Sequence, residues 1–594
     1  MTIGREPIQY VEWQVNICSR TYGSAPCTAA LSSTSTRKCF NTYATCQDRD
    51  NYDRTTKTLR FANNRDGIAQ DGTMTYPSLR SVSVSPTEIT LGGTDDRLGT
   101  FGKRARVNVG LLDFVGNDVD LDPYYDERVS GAAQFDGVGY EPNDKGSFFG
   151  KLFARYPYTF KNIVEVKNGF VGDDPATITG QKYIITETAG PTASGRVSLT
   201  LQDPLKLTDK KNSVCPKASN GLLEIDIDDT ATEFNLLPAG IGDDEYPASG
   251  TGAIGQEIVR FTRSGDTITM TQRGVDGSTA SSHDANDTFQ LCYRVENQTL
   301  DDVAADLLIN YAGIDASFID TAAWADEVGT WLASLRLTAT IAKPTPVLTH
   351  MSQLADFGVI FWWAERQSEI RLRCNRPVDI DAEVTDISDE NNIIEGTGAV
   401  ERLNDQRLSR VYFTHGVIDY GKSLTSDDNY KNVLAAVALT AESDDEYGQE
   451  AIHTIRSPWL GNSGDDTQAN VSSLRLLNRF RDVPLRLIAK LDEKDLAALD
   501  TASIIKVASK LVTDDIGDPV ETLMQITQIN EPVPGSTVGI KAQTFTFFGR
   551  YGLITENTRG DYAASSNDEK EKGTYIVDDG TMMFGDGSKP YLMF

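Results

Sequence analysis

No run in this 594-residue sequence is long and apolar enough to span a bilayer. The densest apolar patch, Val359–Ala364, falls far short of the roughly 20 residues that a transmembrane helix needs. The opening MTIGREPIQYVEW lacks a basic-then-apolar leader, so the expectation is a protein made in a cytosol that stays soluble. Basic charge is scarce: 86 Asp and Glu stand against 56 Lys and Arg, a formal net charge of −30. With no basic stripe, such a chain repels nucleic acid rather than gripping it. The acidity fits simple solubility. It also fits the wall of a DNA conduit, past which a phosphate chain slides without sticking.

Catalytic signatures are missing too. The four histidines, His283, His350, His415 and His453, are scattered, with no HExxH spacing and no GxSxG elbow. Asp/Glu pairs are too common in so acidic a chain to nominate a glycosidase dyad. Gly250-Thr-Gly252-Ala-Ile-Gly255 matches the dinucleotide fingerprint, but no strand is expected before it and a strand-like run follows, so it reads as a loop. Asp118, Asp120 and Asp122 imitate a calcium loop, yet Pro123 occupies the place of the turn glycine, which leaves a solvated acidic loop. His350 falls within an expected helix and reads as a packed core residue. Strand alternation places one of Trp362 and Trp363 in the core and the other at an interface.

What is present is the composition of a folded protein, 39% hydrophobic and 9% aromatic, too long for one core. The pattern predicts a β-rich α+β multidomain chain. Residues 76–210 alternate apolar and polar positions in SVSVSPTEITL, RARVNVGLLDF, KYIITET and GRVSLTLQD, as in a small barrel or a strongly twisted sheet. Residues 211–297 read as a smaller all-β insertion. Residues 298–400 read as an α+β unit, with helices near Val303 to Tyr311, Ala322 to Leu335 and Val347 to Phe357, then a hairpin in FGVIFWWAERQSEIRLRC. Residues 401–556 return to strands, with one helix near Ser472 to Arg481, and 557–594 form a linker and a C-terminal arm rich in apolar residues.

Cysteine is sparse and uneven. Cys215, Cys292 and Cys374 stand alone and read as small hydrophobes. The other four, Cys18, Cys27, Cys39 and Cys46, are separated by eight, eleven and six residues within the segment 1–75. Residues 18–60 are almost without aliphatics, Leu31 and Leu59 excepted. Such a stretch cannot order itself by burial and calls for a cross-link or a metal. Spacing alone leaves two disulfides and a metal site level. No gap is tight enough for the usual four-cysteine zinc pairs. Basic residues (Arg20, Arg37, Lys38, Arg49, Arg54, Lys57, Arg60) outnumber Asp48, Asp50 and Asp53 around the cysteines. Nearby cations favour thiolate anions and suit a negatively charged iron–sulfur cluster.

The string CSRTYGSAPC…KCFNTYATCQDRDNYDRTTKTLRF resembles the cysteine segment of tail-tip hub proteins of siphophages and gene transfer agents. Cys39, Phe40, Thr45-Cys46 and Tyr52 reproduce the family's second half, and Cys18 and Cys27 fit the preceding pair. GKRARVNVGLLDF, GSFFGKLFARYPY, NYAGI and FWWAERQSEIRLR also look like this group. In one respect the chain departs from relatives with a separate cluster-binding subunit, because its cysteine segment precedes the barrel. The resemblance implies a 4Fe–4S cluster on Cys18, Cys27, Cys39 and Cys46, with structural use. It implies hub-type β-barrel domains at 76–210 and 401–556. It further implies a non-enzymatic homotrimer ringing the DNA channel at the virion's tail tip. Its partners would be the distal tail protein, the C-terminus of the tape-measure protein, and tip or receptor-binding proteins, with genomic DNA passing without specific binding. A tail-associated cell-wall hydrolase is the alternative.

Overall fold

The computed structural model describes residues 6–63, 67–91, 100–116, 118–376, 384–461, 466–492, 499–531 and 537–545. The linker and arm at 557–594 lie outside them. Among the described residues no helix is long and apolar enough to cross a membrane.

The first unit is an eight-stranded sheet. Its strands are β1 (Pro7–Cys18), β2 (Arg54–Ala62), β3 (Thr75–Tyr76), β4 (Leu79–Ser85), β5 (Arg106–Leu112), β6 (Ile163–Phe170), β7 (Gly180–Ala189) and β8 (Arg196–Gln202). They lie in the order β3-β2-β1-β6-β7-β8-β5-β4. The two edge strands, β3 and β4, are joined by only Pro77 and Ser78, and β4 also approaches β2. A sheet whose opposite edges are sequence neighbours has to curl round on itself, and this one is nearly closed into a barrel. Alternation along β5 and β8 points Val107, Val109, Leu111, Val197, Leu199 and Leu201 into the core. β1 departs from alternation: Tyr10, Val11, Trp13 and Val15 are all buried, because Ile68 and Ile178 pack with Ile8 and Tyr10 on its second face.

The expected boundary at residue 75 is therefore no boundary. β1 and β2 pair directly, from Tyr10 with Ala62 to Cys18 with Arg54, and β1 is a central strand. The cysteine segment does not precede the barrel; it is inserted between the barrel's first two strands.

Downstream, a six-stranded sheet of residues 222–291 forms the insertion with its own core around Phe234, Phe261 and Phe289. Here the Gly250–Gly255 stretch is corrected. Ser249–Ile254 is a strand, and Gly252 is required because a Cβ would sit 2.3 Å from the Phe289 ring. The α+β unit carries the expected hairpin of Val359–Ala364 with Glu369–Cys374 and helices at Leu300–Asp306, Thr321–Trp331 and Val347–Ala355. Trp362 and Trp363 are both buried, at 3% and 1% exposure. Trp324 of the helix Thr321–Trp331 packs on Phe361 and Phe318 packs on Trp363, and at these exposures neither ring is left for an interface.

Residues beyond 384 build two sheets. One has six strands in the order Thr385–Ser388, Ile504–Ala508, Thr522–Asn530, Val538–Thr544, Leu485–Leu491, Ala399–Arg402. Its outer strands come from before residue 403, so the expected division at 400/401 cuts through it. The other places Arg410–Val417 between Tyr430–Val437 and Ile452–Arg456, with the helix Thr467–Phe480 on its inner face.

Candidate cofactor site in the β1–β2 insertion

The insertion runs from Cys18, the last residue of β1, to Arg54, the first of β2. Asn41 ties its middle to its start. In the left-handed region at φ 52°, it accepts the Cys18 N–H at 2.7 Å, and its side-chain amide donates to the carbonyls of Cys18 and Arg20. Thr45 supplies the second tie, its hydroxyl accepting the Phe40 N–H at 3.0 Å across the turn Tyr43–Thr45. Asp48 supplies the third. Its carboxylate takes the backbone N–H and hydroxyl of Thr28, and the Thr28 N–H above all holds it below the usual carboxylate range. The Asp48 amide points at Cys46 Sγ, 3.4 Å away.

These ties gather the four cysteines, each half-buried. Cys39 lies above the ordinary thiol range because of burial first, and the negative charge of Cys46, Cys27 and Cys18 adds to it. Cys46 is raised by burial, with Cys18 and Cys27 contributing in the same sense. The charges of Cys18 and Cys27 thus bear on both Cys39 and Cys46, and bare thiolates so placed would repel. Among the described residues, however, no three His, Cys, Asp or Glu side chains converge closely enough to hold a single metal ion.

The insertion has little core of its own and borrows one. α1 (Tyr125–Ser130) and α2 (Phe148–Arg155) present two guanidinium groups that sandwich Phe40, Arg128 at 4.0 Å and Arg155 at 4.1 Å from its ring centroid. Arg128 also donates to the carbonyls of Lys38 and Cys39, at 3.0 and 2.8 Å. Each arginine is fixed from behind by a carboxylate. Asp122 takes Arg128 at 2.9 Å; Asp118 takes Arg155 at 2.6 Å and Lys151 at 2.9 Å. The reading of Asp118, Asp120 and Asp122 as a solvated acidic loop is overturned. Asp118 and Asp122 are buried, and Asp120 pairs with Lys57 and accepts from the Tyr76 hydroxyl.

A second face of contact completes the docking. The Tyr22 N–H donates to the Tyr124 hydroxyl at 2.7 Å, and the Lys38 ammonium lies 4.9 Å from the Tyr124 ring while pairing with Glu127 at 2.6 Å. The Lys38 N–H donates to the carbonyl of Ala133. That carbonyl is in place because Gly131, at φ 90°, ends α1 in a conformation where any Cβ would strike Gly137. The local basic excess is partly spent on such pairs: Lys38 on Glu127, Lys57 on Asp120, and Arg60 on Glu12 and Asp71. Asn41, Tyr124, Arg128 and Arg155 were not singled out by the sequence. The signals that could have found two of them were the string KCFNTYATC, which contains Asn41, and the block GSFFGKLFARYPY, which carries α2 and Arg155.

The remaining candidates are structural. Cys215 and Cys374 are buried, and burial pushes the Cys374 thiol up to about 12. His350, 2% exposed, donates from Nε2 to the Cys215 carbonyl at 2.9 Å, and burial holds its pKa below the usual histidine range. His283 shares the buried Glu257 with Arg273, at 2.8 and 2.7 Å.

No family model matches the sequence, and no curated protein matches it. Among solved structures, the chain is similar to a 43 kDa tail protein of prophage MuSo2 from Shewanella oneidensis. The identity is 10% and the TM-score 0.34, over 79% of this chain and 98% of that one. A tail protein from Neisseria meningitidis gives 10% and 0.32, over 78% and 97%. A prophage tail protein from Listeria monocytogenes gives 9% and 0.30, over 77% and 87%. At such identities and scores the functional reading is left to the residues of this chain.

Proposed function

We propose that this chain is a structural hub protein at the tail tip of a long-tailed bacteriophage, holding a 4Fe–4S cluster on Cys18, Cys27, Cys39 and Cys46. What supports the reading is that the four thiols, each half-buried, lie in one insertion pinned to a nearly closed barrel. Phe40, which carries part of the sequence resemblance, does the pinning between Arg128 and Arg155, and Thr45 holds the Phe40 backbone within the insertion. The donor set fits the group. Four thiols in one insertion are the donor type that a 4Fe–4S cluster takes, and their sequence gaps are wider than those of the usual four-cysteine zinc pairs. When bound, a cluster supplies four covalent cross-links to a segment that buries few side chains of its own.

Homotrimeric assembly, with the first barrel and the six-stranded sheet of residues 385–544 as the two barrel-type domains of each subunit, would ring the DNA channel and adapt a sixfold tube to a threefold tip. The distal tail protein, the C-terminus of the tape-measure protein and tip or receptor-binding proteins are the partners that this role requires. The tail-protein names of the three structural likenesses accord with it without carrying it. The test is visible absorption with iron and zinc analysis on anaerobically purified protein. Brown protein with about four irons per chain is expected. Zinc, or a colourless product with Cys18, Cys27, Cys39 and Cys46 in disulfides, would overturn the cluster.

A further inference from the structure

At one end of the first barrel lies a groove of two lobes. β1 keeps its partner β6 only as far as Trp13 and continues to Cys18 with β2 alone, and the groove lies beside this unflanked stretch. Gln14 and Asn16 are alternate residues of the stretch. Thr56, opposite Asn16, and Arg54, opposite Cys18, share their face of the sheet. The lobes measure about 430 and 350 Å³, and both are lined by Asn16, Arg54 and Asn162, which form the saddle between them. Asn16 holds the saddle together: its Nδ2 donates to Asn162 Oδ1 at 3.2 Å, and its Oδ1 accepts from Arg54 Nε at 2.9 Å. The terminal nitrogens of Arg54 have no partner among the described residues. One lobe is walled by tyrosines. Tyr43 and Tyr158, 46% and 65% exposed, stand with ring centroids 6.4 Å apart, and Tyr52 and Tyr156 extend the wall. The other lobe adds Gln14, Thr56 and Lys161, and the α+β unit closes it with residues from Ile309 to Phe318.

Side-chain amides and hydroxyls both donate and accept, as every sugar hydroxyl does, and the face of an exposed tyrosine takes the C–H face of a sugar ring. Each lobe has the volume of a small-ligand site, and two lobes joined at a polar saddle suit a chain of rings better than a single one. We propose that this groove binds an oligosaccharide, with one ring against Tyr43 and Tyr158 and the hydroxyls of the next on Arg54, Asn16 and Asn162. Among the described residues that line the two lobes, Asp315 is the one carboxylate, and it accepts the Ser317 N–H at 2.9 Å. Glycoside hydrolysis ordinarily takes a pair of carboxylates, so the role is binding. The site uses none of the four cysteines and does not depend on the hub reading.

The experiment uses the full chain. It is applied to a printed array of oligosaccharides built from glucose, galactose, rhamnose, N-acetylglucosamine and N-acetylgalactosamine, and the strongest binder is then titrated calorimetrically. Saturable binding is expected. Tyr158→Ala and Arg54→Gln, both at exposed positions, are each expected to weaken it by about tenfold or more with an unchanged melting temperature. Thr56→Val, exposed on the same face, replaces either variant whose circular dichroism shows a disturbed fold. Absence of binding across the array would overturn the proposal. Wild-type affinity in both variants would overturn it too, because the sugar would then sit elsewhere. A capped hexaproline peptide is titrated in parallel, since aromatic-lined grooves also take polyproline segments. Hexaproline bound by wild type and lost in Tyr158→Ala, with no oligosaccharide bound, would make the occupant a peptide and the saccharide reading wrong.

Discussion

Phe40 shows how a single side chain joins chemistry to fold. Its ring lies between two buried cations, and each cation is held by its own carboxylate, so the peptide bearing Cys39 is fixed from both sides. Removing one member of such a buried pair leaves the other charge uncompensated, which costs about 3–5 kcal/mol. Arg128→Met is therefore expected to lower the melting temperature of the metal-free protein and to release the Lys38 and Cys39 carbonyls. Thermal unfolding checks the first, and hydrogen exchange at residues 36–41 the second. A variant as stable as wild type would show that the sandwich carries little of the docking.

A second residue-scale test is remote from the cysteines. Asp203 is wholly buried, and burial, with Glu365 adding and Arg104 opposing, raises its pKa to about 7. The folded state then binds a proton that the unfolded chain, with an ordinary Asp value near 4, has released. Stability must fall as pH rises from about 4 through 7, by up to roughly 4 kcal/mol. Chemical unfolding at pH 5 and pH 8 should show that loss in wild type and a flatter dependence in Asp203→Asn; parallel slopes would assign the pH dependence elsewhere. At this scale the four cysteines, Phe40 and Thr45 were legible, because they form a local string. Arg128, Asp122 and Asp203 were not, because burial makes their pairing and nothing local announces burial.

At the scale of elements, the insertion is a long loop stretched across a β-hairpin. β1 and β2 keep their register up to the Cys18–Arg54 pair, so the barrel does not depend on what happens beyond it. Replacing Cys39 with Ser is expected to loosen residues 19–53 alone. Backbone hydrogen exchange should rise in that range by about tenfold or more in anaerobically prepared protein, while β1, β2 and β6 keep their protection. Exchange that rises throughout the sheet would mean that the insertion is part of the barrel's cooperative core. Most strands of the first sheet were visible as alternation in the sequence, but the place of the cysteine segment was not. β1 has a second buried face, so its period-two signal is blurred, and its partners β2 and β6 are set by long-range pairing that no local pattern encodes. The acidic string at 118–122 was misread for a related reason: the cations that neutralise it come from α1, α2 and β2.

At the scale of the whole molecule, the fold class was legible and the divisions were not, since the six-stranded sheet draws its outer strands from 385–402 and its inner ones from 485–544. The units are locked by charge as well as by core. Glu88 of the first unit meets Lys541 at 2.6 Å and Arg486 at 3.8 Å in that sheet, and the Ile89 N–H donates to the carbonyl of Thr527. One surface stands apart from this economy. The three-stranded sheet packs its inner face on the helix Thr467–Phe480, while its outer face presents Val433 and Ile452, 65% and 51% exposed, with Val437 and Leu439 beside them. Apolar residues grouped on an open sheet face are the kind of surface that assembly covers, and the hub role proposed above would need such faces. Val433→Asp tests this without touching the core. A substitution at so exposed a position should change stability by less than about 0.5 kcal/mol, so the melting temperature and circular dichroism should match wild type. If the face is covered in the assembled tail, the same variant places a charge in an apolar contact, and tails built with it in a complementation assay should lack the protein or fail to form. Normal incorporation would leave this face to solvent and place the subunit contacts elsewhere on the molecule.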